Sequence, residues 1–178
     1  MQTHRLVPHP DHPPSEVENI NVLFGKVPDG RLMLRWKVNG DGDLLLPSFA
    51  GRGKGEELWK TTCFELFLMN ADGSYREFNF SPSGRWAAYR FGSYREGQED
   101  YEPLDWPEIE VQQGSGVTVA TVFLNGKELE GAEKAGVSVV VEEETGGCSY
   151  WALSHAEGGK PDFHAAENFT IPVDGGAK

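Results

Sequence analysis

A chain of 178 residues with 38% apolar and 11% aromatic side chains is long enough for one domain with a substantial core. Its 28 acidic and 16 basic side chains leave a formal charge of -12, which repels phosphate backbones and anionic lipid head groups; nucleic acid and membranes are therefore not expected partners. No apolar run reaches transmembrane length, and the opening MQTHRLVPHPDHPPSEV lacks the apolar stretch of a signal peptide, so the expected location is the cytoplasm. In that compartment Cys63 and Cys148 read as two buried thiols, although a disulfide between them is not forbidden.

Residues 1–16 hold Pro8, Pro10, Pro13 and Pro14 and read as an extended, Pro- and His-rich arm, with the domain proper spanning 17–174. His4, His9 and His12 have no acidic or Cys partner at ligand spacing, which favours a solvated arm over a metal site. Alternation with period two begins next. Ile20, Val22 and Phe24 share one face of a first strand, and Leu32, Leu34, Trp36 and Val38 share one face of RLMLRWKV, with Arg35 and Lys37 opposite. The long loop 39–57 contains GRGKGEE, which lacks the spacing and following helix of a phosphate-binding loop. Further strands fall at 61–69, 75–81 and 85–91, then, after a second long loop at 92–108, at 116–124, 136–144, 148–155 and 169–173. Loops of that length in a compact domain are often binding loops. Only NGKELEGAEK, 125–134, has helical character. Short strands punctuated by Gly, Pro, Asn and Asp, without intervening helices, predict an all-β antiparallel sandwich or barrel.

The stretch CFELFLMNADGSYREFNF sets a register. A three-residue loop Ala71-Asp72-Gly73 pairs Leu66 with Phe78 and Phe64 with Phe80, and places Glu65 against Asn79 and Phe67 against Glu77. The two-residue alternative would set Leu66 against Asn79, a mixed pairing that burial penalises. One face of the hairpin is then wholly apolar, and the other carries Cys63, Glu65, Phe67, Glu77 and Asn79. Two readings fit that second face: a half-covered groove with apolar walls and convergent polar groups, or a hydrogen-bonded patch beneath a loop. The next turn, SPSG, stays open. Pairing Ser81 with Gly84 sends Trp86 to the Glu65 face and makes it a site candidate, whereas a bulge at Gly84 sends Trp86 to the core and Tyr89 to the groove.

The string LWKTTCFELFL resembles the type 9 carbohydrate-binding modules and the related DOMON-like ligand-binding domains, which carry a Trp, a Glu six residues later and an aromatic two beyond it; Trp59, Glu65 and Phe67 match that spacing. RLMLRWKVNGD, YREFNFSPSG and WALSHAEGGKPDFHAAENFTI extend the likeness over roughly residues 17–173. The resemblance implies an antiparallel β-sandwich of jelly-roll or immunoglobulin-like build. It also implies aromatic clamps at Trp59 and Phe163, an acidic hydroxyl acceptor at Glu65 and a polar partner at Asn79, where those modules usually have Arg. Thr62 stands where the pattern has Asp, and the second clamp is Phe rather than Trp. No calcium loop is evident.

A pyranose offers apolar C–H faces and a belt of hydroxyls, which aromatic planes and carboxylate or amide groups can take up. The expected ligand is thus a small neutral molecule of the sugar class, with no cofactor and no catalytic residue, held by Trp59, Phe163, Glu65, Glu77 and Asn79. His155, Asp162 and His164 join the candidates as hydrogen-bonding groups, weighed against a weak metal site and against loop residues that cap one another. Two rival readings are a haem-binding domain and a glycan-processing enzyme. For the first, the available Met33 and Met69 form no Met–His spacing. For the second, Glu65 and Glu77 would be the carboxyl pair.

Overall fold

A computed structural model describes residues 1–173, and among them the only helical pieces are short 3-10 turns. The expected domain end at residue 174 lies outside the described residues. The strands are β1 (Gln2–Pro8), β2 (Val17–Lys26), β3 (Leu32–Gly40), β4 (Gly53–Lys54), β5 (Cys63–Asn70), β6 (Tyr75–Phe80), β7 (Arg85–Phe91), β8 (Glu99–Asp100), β9 (Glu108–Gly114), β10 (Val117–Leu124), β11 (Ala132–Glu142), β12 (Cys148–Ala152) and β13 (Ile171–Pro172). One sheet runs β1-β2-β3-β10-β9 and the other β7-β6-β5-β11-β12, with β4 and β8 on the β7 edge and β13 on β11. Every pairing is antiparallel except the short β4–β7 contact.

The predicted all-β sandwich is therefore the observed one, and period-two burial explains it. Val22, Leu34, Trp36 and Val122 of one sheet meet Phe64, Leu66, Phe78, Phe80 and Val139 of the other, each with no exposed surface. Trp36 sits at the centre, its ring 5.4 Å from Phe64 and 6.3 Å from Phe80. Each such side chain contributes about 1.5–3 kcal/mol by leaving water.

Both turns of the β5–β6–β7 meander close through a left-handed glycine. In the first, Asn70 N–H donates to Ser74 O at 2.9 Å and Gly73 has φ 84°. Phe64 accordingly faces Phe80, Leu66 faces Phe78, Glu65 faces Asn79 and Phe67 faces Glu77, the register the apolar matching predicts. In the second, Ser81 N–H donates to Arg85 O at 2.9 Å around Gly84, with φ 85°. The additional residue inverts the face of every β7 side chain. Trp86 thus pairs beside Phe80 and lies 1% exposed in the core, so it is not a site residue, and Tyr89 stands beside Glu77 instead.

Residues 2–8 form part of the sandwich rather than an arm beside it. β1 pairs with β2 through Gln2–Leu6 and with β12 through Val7 and Pro8, joining the two sheets along one seam. Exposure alternates along the strand, with His4 half-buried and Leu6 1% exposed between exposed neighbours, and the prolines begin only where the strand ends. The continuation is pinned as well. Glu143, 1% exposed, accepts the N–H groups of Ser15, Glu16 and Val17 at 2.7, 2.9 and 2.8 Å. Burial pushes its carboxyl up, but those three donors outweigh burial and hold it below the usual carboxylate range. Its contribution is therefore present above the unfolded value and lost as pH falls through the lower folded one. Glu143→Gln should cost about 1–3 kcal/mol in a denaturant titration near neutral pH, with the gap to wild type narrowing in acid. Equal unfolding midpoints at neutral pH would contradict this role.

The segment 125–134 is a single 3-10 turn, Gly126–Leu129, followed directly by β11, rather than the expected helix. Leu129 and Ala132, only three residues apart, are both drawn into the core, and β11 starts at Ala132, leaving no length for a second turn. Glu128 within it has no exposed surface and accepts from Arg76 Nη1 at 2.9 Å, Tyr101 OH at 2.9 Å and Leu104 N–H at 2.7 Å. Cys63 is buried, Cys148 half-buried, and both are free thiols.

Candidate functional site

The outer face of the second sheet is not open to solvent. Cys63, Glu65 and Phe67 of β5 lie between Tyr75, Glu77 and Asn79 of β6 and Ser138 and Val140 of β11, and all are buried. A second apolar cluster of Phe67, Tyr75, Phe91, Val140, Ala152, Phe163 and Phe169 covers part of that face, the last two from the closing segment before β13. Asn168 fixes this segment by donating to Phe163 O at 3.1 Å and accepting Leu153 N–H at 3.2 Å. What is left uncovered is a cavity of about 630 Å³.

Glu65 and Glu77 line the cavity together with Trp59, Tyr89, Phe91, Tyr150, Phe163, His164 and Arg95. Trp59 stands half exposed at the mouth on a 3-10 turn, Leu58–Lys60, which starts from Glu57 at φ 52°. Glu57 and Arg95 are the two non-glycine residues with positive φ among those described, and both carry segments that wall the cavity. Backbone held in that region costs about 1–3 kcal/mol and gathers at functional sites.

Among the described residues, no Lys or Arg forms an ion pair with either buried carboxyl. Glu65 Oε2 accepts from Ser138 Oγ at 3.0 Å, and Glu77 Oε1 accepts from Asn79 Nδ2 at 3.0 Å. Asn79 Oδ1, fully buried, has no partner. Burial first, and the neighbouring Glu77 charge second, push Glu65 well above the usual carboxylate range, with Ser138 opposing weakly. Burial raises Glu77 from 4.5 to about 7, against the pull of Asn79 and then of Arg95. His164 is lowered to about 4, by burial and then by Arg95, with Asp162 opposing. It is neutral at pH values near 7. Its Nδ1 lies 2.8 Å from Tyr75 OH and its Nε2 lies 3.5 Å from Glu77 Oε2. Tyr75 OH also accepts Arg95 N–H at 3.1 Å, so the assignment that satisfies each group has Tyr75 donating to Nδ1 and the Nε2 proton facing Glu77.

Of the residues singled out from sequence, Trp59, Glu65, Glu77, Phe163 and His164 line this one cavity. Asn79 lies in the same face and holds Glu77. Asp162 is a latch: it accepts from Arg95 Nη2 at 2.7 Å, His164 N–H at 3.1 Å and Tyr94 OH, tying the loop after β7 to the closing segment. His155 turns away, its Nε2 2.9 Å from Val7 O and its ring edge-on to His9 at 5.1 Å. Trp86 is in the core, as described. Among the described residues no three His, Cys, Asp or Glu side chains are grouped to hold a metal ion, and no helix is long and apolar enough to cross a membrane. Tyr89, which the sequence reading sends to the groove only with a bulge at Gly84, lines the wall, as do Phe91, Tyr150 and Arg95, which it does not name. The β7 register would have given the first two, and Trp151 in the core implies Tyr150 on the opposite face.

Sheet order and cavity together define a β-sandwich with an aromatic-walled pocket in one partly covered outer face. Neither a protein-family model nor a curated protein matches the sequence. Among solved structures, the fold is similar to that of a candidate carbohydrate-binding protein from Bacteroides uniformis, with a TM-score of 0.64 and 15% identity over 96% of this chain and 85% of that one. The likeness is one of fold.

Proposed function

We propose that the cavity binds a small hydroxyl-rich ligand of the carbohydrate class, without catalysing its conversion. The observation that carries this reading is the composition of the pocket: Trp59, Tyr89, Phe91, Tyr150 and Phe163 supply apolar planes around the Glu65 and Glu77 carboxyls, in a volume of about 630 Å³. Aromatic planes take the C–H faces of a sugar ring and carboxyls take its hydroxyls. The fold shared with the Bacteroides uniformis protein supports the same ligand class. Binding rather than hydrolysis is the reading favoured by the sheet: both carboxyls rise from neighbouring strands of one wall, β5 and β6, rather than facing each other across a cleft. The formal charge of -12 disfavours polyanions as ligands.

Trp59→Ala separates binding from folding. The side chain is half exposed, so its loss should change unfolding free energy by less than about 0.5 kcal/mol while weakening sugar binding about 5- to 10-fold. A calorimetric screen of mono- and disaccharides on both proteins tests this. A sugar bound equally well by wild type and variant would remove Trp59 from the site, and no heat from any sugar would refute the carbohydrate reading.

A further inference from the structure

The Glu65–Glu77 pair lacks a counter-charge that the cavity has room to receive. Both carboxyls are nine-tenths or more buried, at 3% and 6% exposure, and both line the cavity. The nearby cations are not available to them. Arg95 is committed to Asp162 at 2.7 Å and held by a backbone φ of 55°. Lys160 is on the exposed rim, and His164 is neutral near pH 7. A buried carboxylate without a cationic partner is costly, so the two remain protonated to higher pH than usual. Asn79 Oδ1, buried on the same face, is likewise an acceptor without a donor. Around these acceptors the walls are Trp59, Tyr89, Phe91, Tyr150 and Phe163, whose ring faces attract cations.

We propose that, among hydroxyl-rich ligands, this cavity selects those that carry a protonated amine, seating the ammonium between the Glu65–Glu77 pair and the aromatic wall. The inference rests on the carbohydrate reading and names a subclass within it, the amino sugars. An ammonium brings three N–H donors and one positive charge to a place that offers acceptors and negative charge. A neutral hexose brings only hydroxyls. N-acetylation removes the charge and most of the donors, so an acetylated amino sugar behaves as a neutral one.

Binding a cation draws the carboxyls toward their ionised form, and the site must release a proton to do so. The titratable groups around the pair are Cys63 from β5, Tyr75 from β6, Tyr89 from β7, Arg95 from the following loop, and Asp162 and His164 from the closing segment, with His12, Tyr150 and Lys160 farther along the cavity wall. Of these, Cys63, Tyr75 and Tyr89 are pushed upward by burial and stay protonated near neutrality, while Asp162 and His164 are shifted downward and do not take up a proton there. The proton therefore comes from the pair itself, from Glu77, near 7, or from Glu65, held well above the usual carboxylate range.

Calorimetric titration of the full chain with D-glucosamine, D-galactosamine, the matching hexoses, their N-acetyl forms and ethanolamine tests the proposal, run near pH 6 and near pH 7 in two buffers of different ionisation enthalpy. The hexosamine should bind about 10-fold or more tightly than its hexose, with uptake of up to one proton by the buffer near pH 6 and higher affinity near pH 7, where Glu77 ionises more readily and the sugar amine still holds its proton. Glu77→Gln and Glu65→Gln, checked for folding by thermal melting, should bring the affinity for each hexosamine down to that for its matching hexose measured on the same variant. Hexose and hexosamine bound equally, or the N-acetyl form bound most tightly, would overturn amine selection and leave the carbohydrate reading standing. Ethanolamine bound as tightly as the hexosamines, with no hexose bound, would overturn the carbohydrate reading and leave ammonium selection standing. Silence from every ligand would overturn both.

Discussion

At about pH 8, Glu77→Gln should make the protein more stable than wild type by about 3 kcal/mol, because the substitution removes a charge that folding buries without a counter-ion. In the folded chain Glu77 loses its proton at about 7, against the usual 4.5. Between those values the folded state holds a proton that the unfolded state has released, so stability falls as pH rises through the window from 4.5 to about 7, and above it the whole penalty is in force. Glutamine keeps the acceptor that Asn79 Nδ2 uses at 3.0 Å and carries no such penalty. The measurement is denaturant unfolding of both proteins at about pH 4 and pH 8, with near-equal midpoints expected in acid and the variant ahead in base. A variant no more stable than wild type at pH 8 would mean that Glu77 finds a counter-charge on folding. The gain in stability should accompany a loss of ligand selectivity, the exchange expected where a strained site is maintained for binding.

Glu128→Ala should act in the opposite sense and cost about 3–5 kcal/mol. Glu128 is fully buried, and Arg76, whose side chain is 14% exposed, has no other carboxylate at ion-pair distance among the described residues. Truncation leaves the guanidinium of Arg76, the hydroxyl of Tyr101 and the N–H of Leu104 without their acceptor at once. Removing both charges is milder than removing one, so Arg76→Met combined with Glu128→Ala should recover part of the loss in a double-mutant cycle. A single-mutant loss below about 1 kcal/mol, or strict additivity in the cycle, would show that the pair is not coupled.

The contrast between these two glutamates bears on what could be read from sequence. The β5–β6 register was legible because the two-residue alternative places Leu66 against Asn79, and the register that avoids this gathers Glu65, Glu77 and Asn79 on one face. The partner of Glu128 was not legible, since Arg76 lies 52 residues away and only the folded sandwich brings them together. Trp86 was undecided because one residue in the SPSG turn inverts the whole of β7, and sequence alone did not decide whether Gly84 would adopt the left-handed conformation. The same choice decides whether Tyr89 and Phe91 face the groove. β1 reads as an arm because prolines follow it and Thr3, His4 and Arg5 give no apolar alternation; only its pairing with β2 and β12 buries Leu6. Asp162 and His164 share a segment in the chain but divide in the fold: the first latches a loop and the second lines the cavity, a difference set by Tyr94 and Arg95 from elsewhere in sequence.

β1 belongs to both sheets, and β2 and β12 rely on the same seven residues for a neighbour. Anything that frees those residues therefore bares two rows of backbone donors and acceptors at once, one on each sheet. The gap so made is complementary to the strand that left it, and a second copy carries that strand in the same form. The seam that closes the monomer is thus also the place where two chains could trade identical pieces, each supplying what the other has given up.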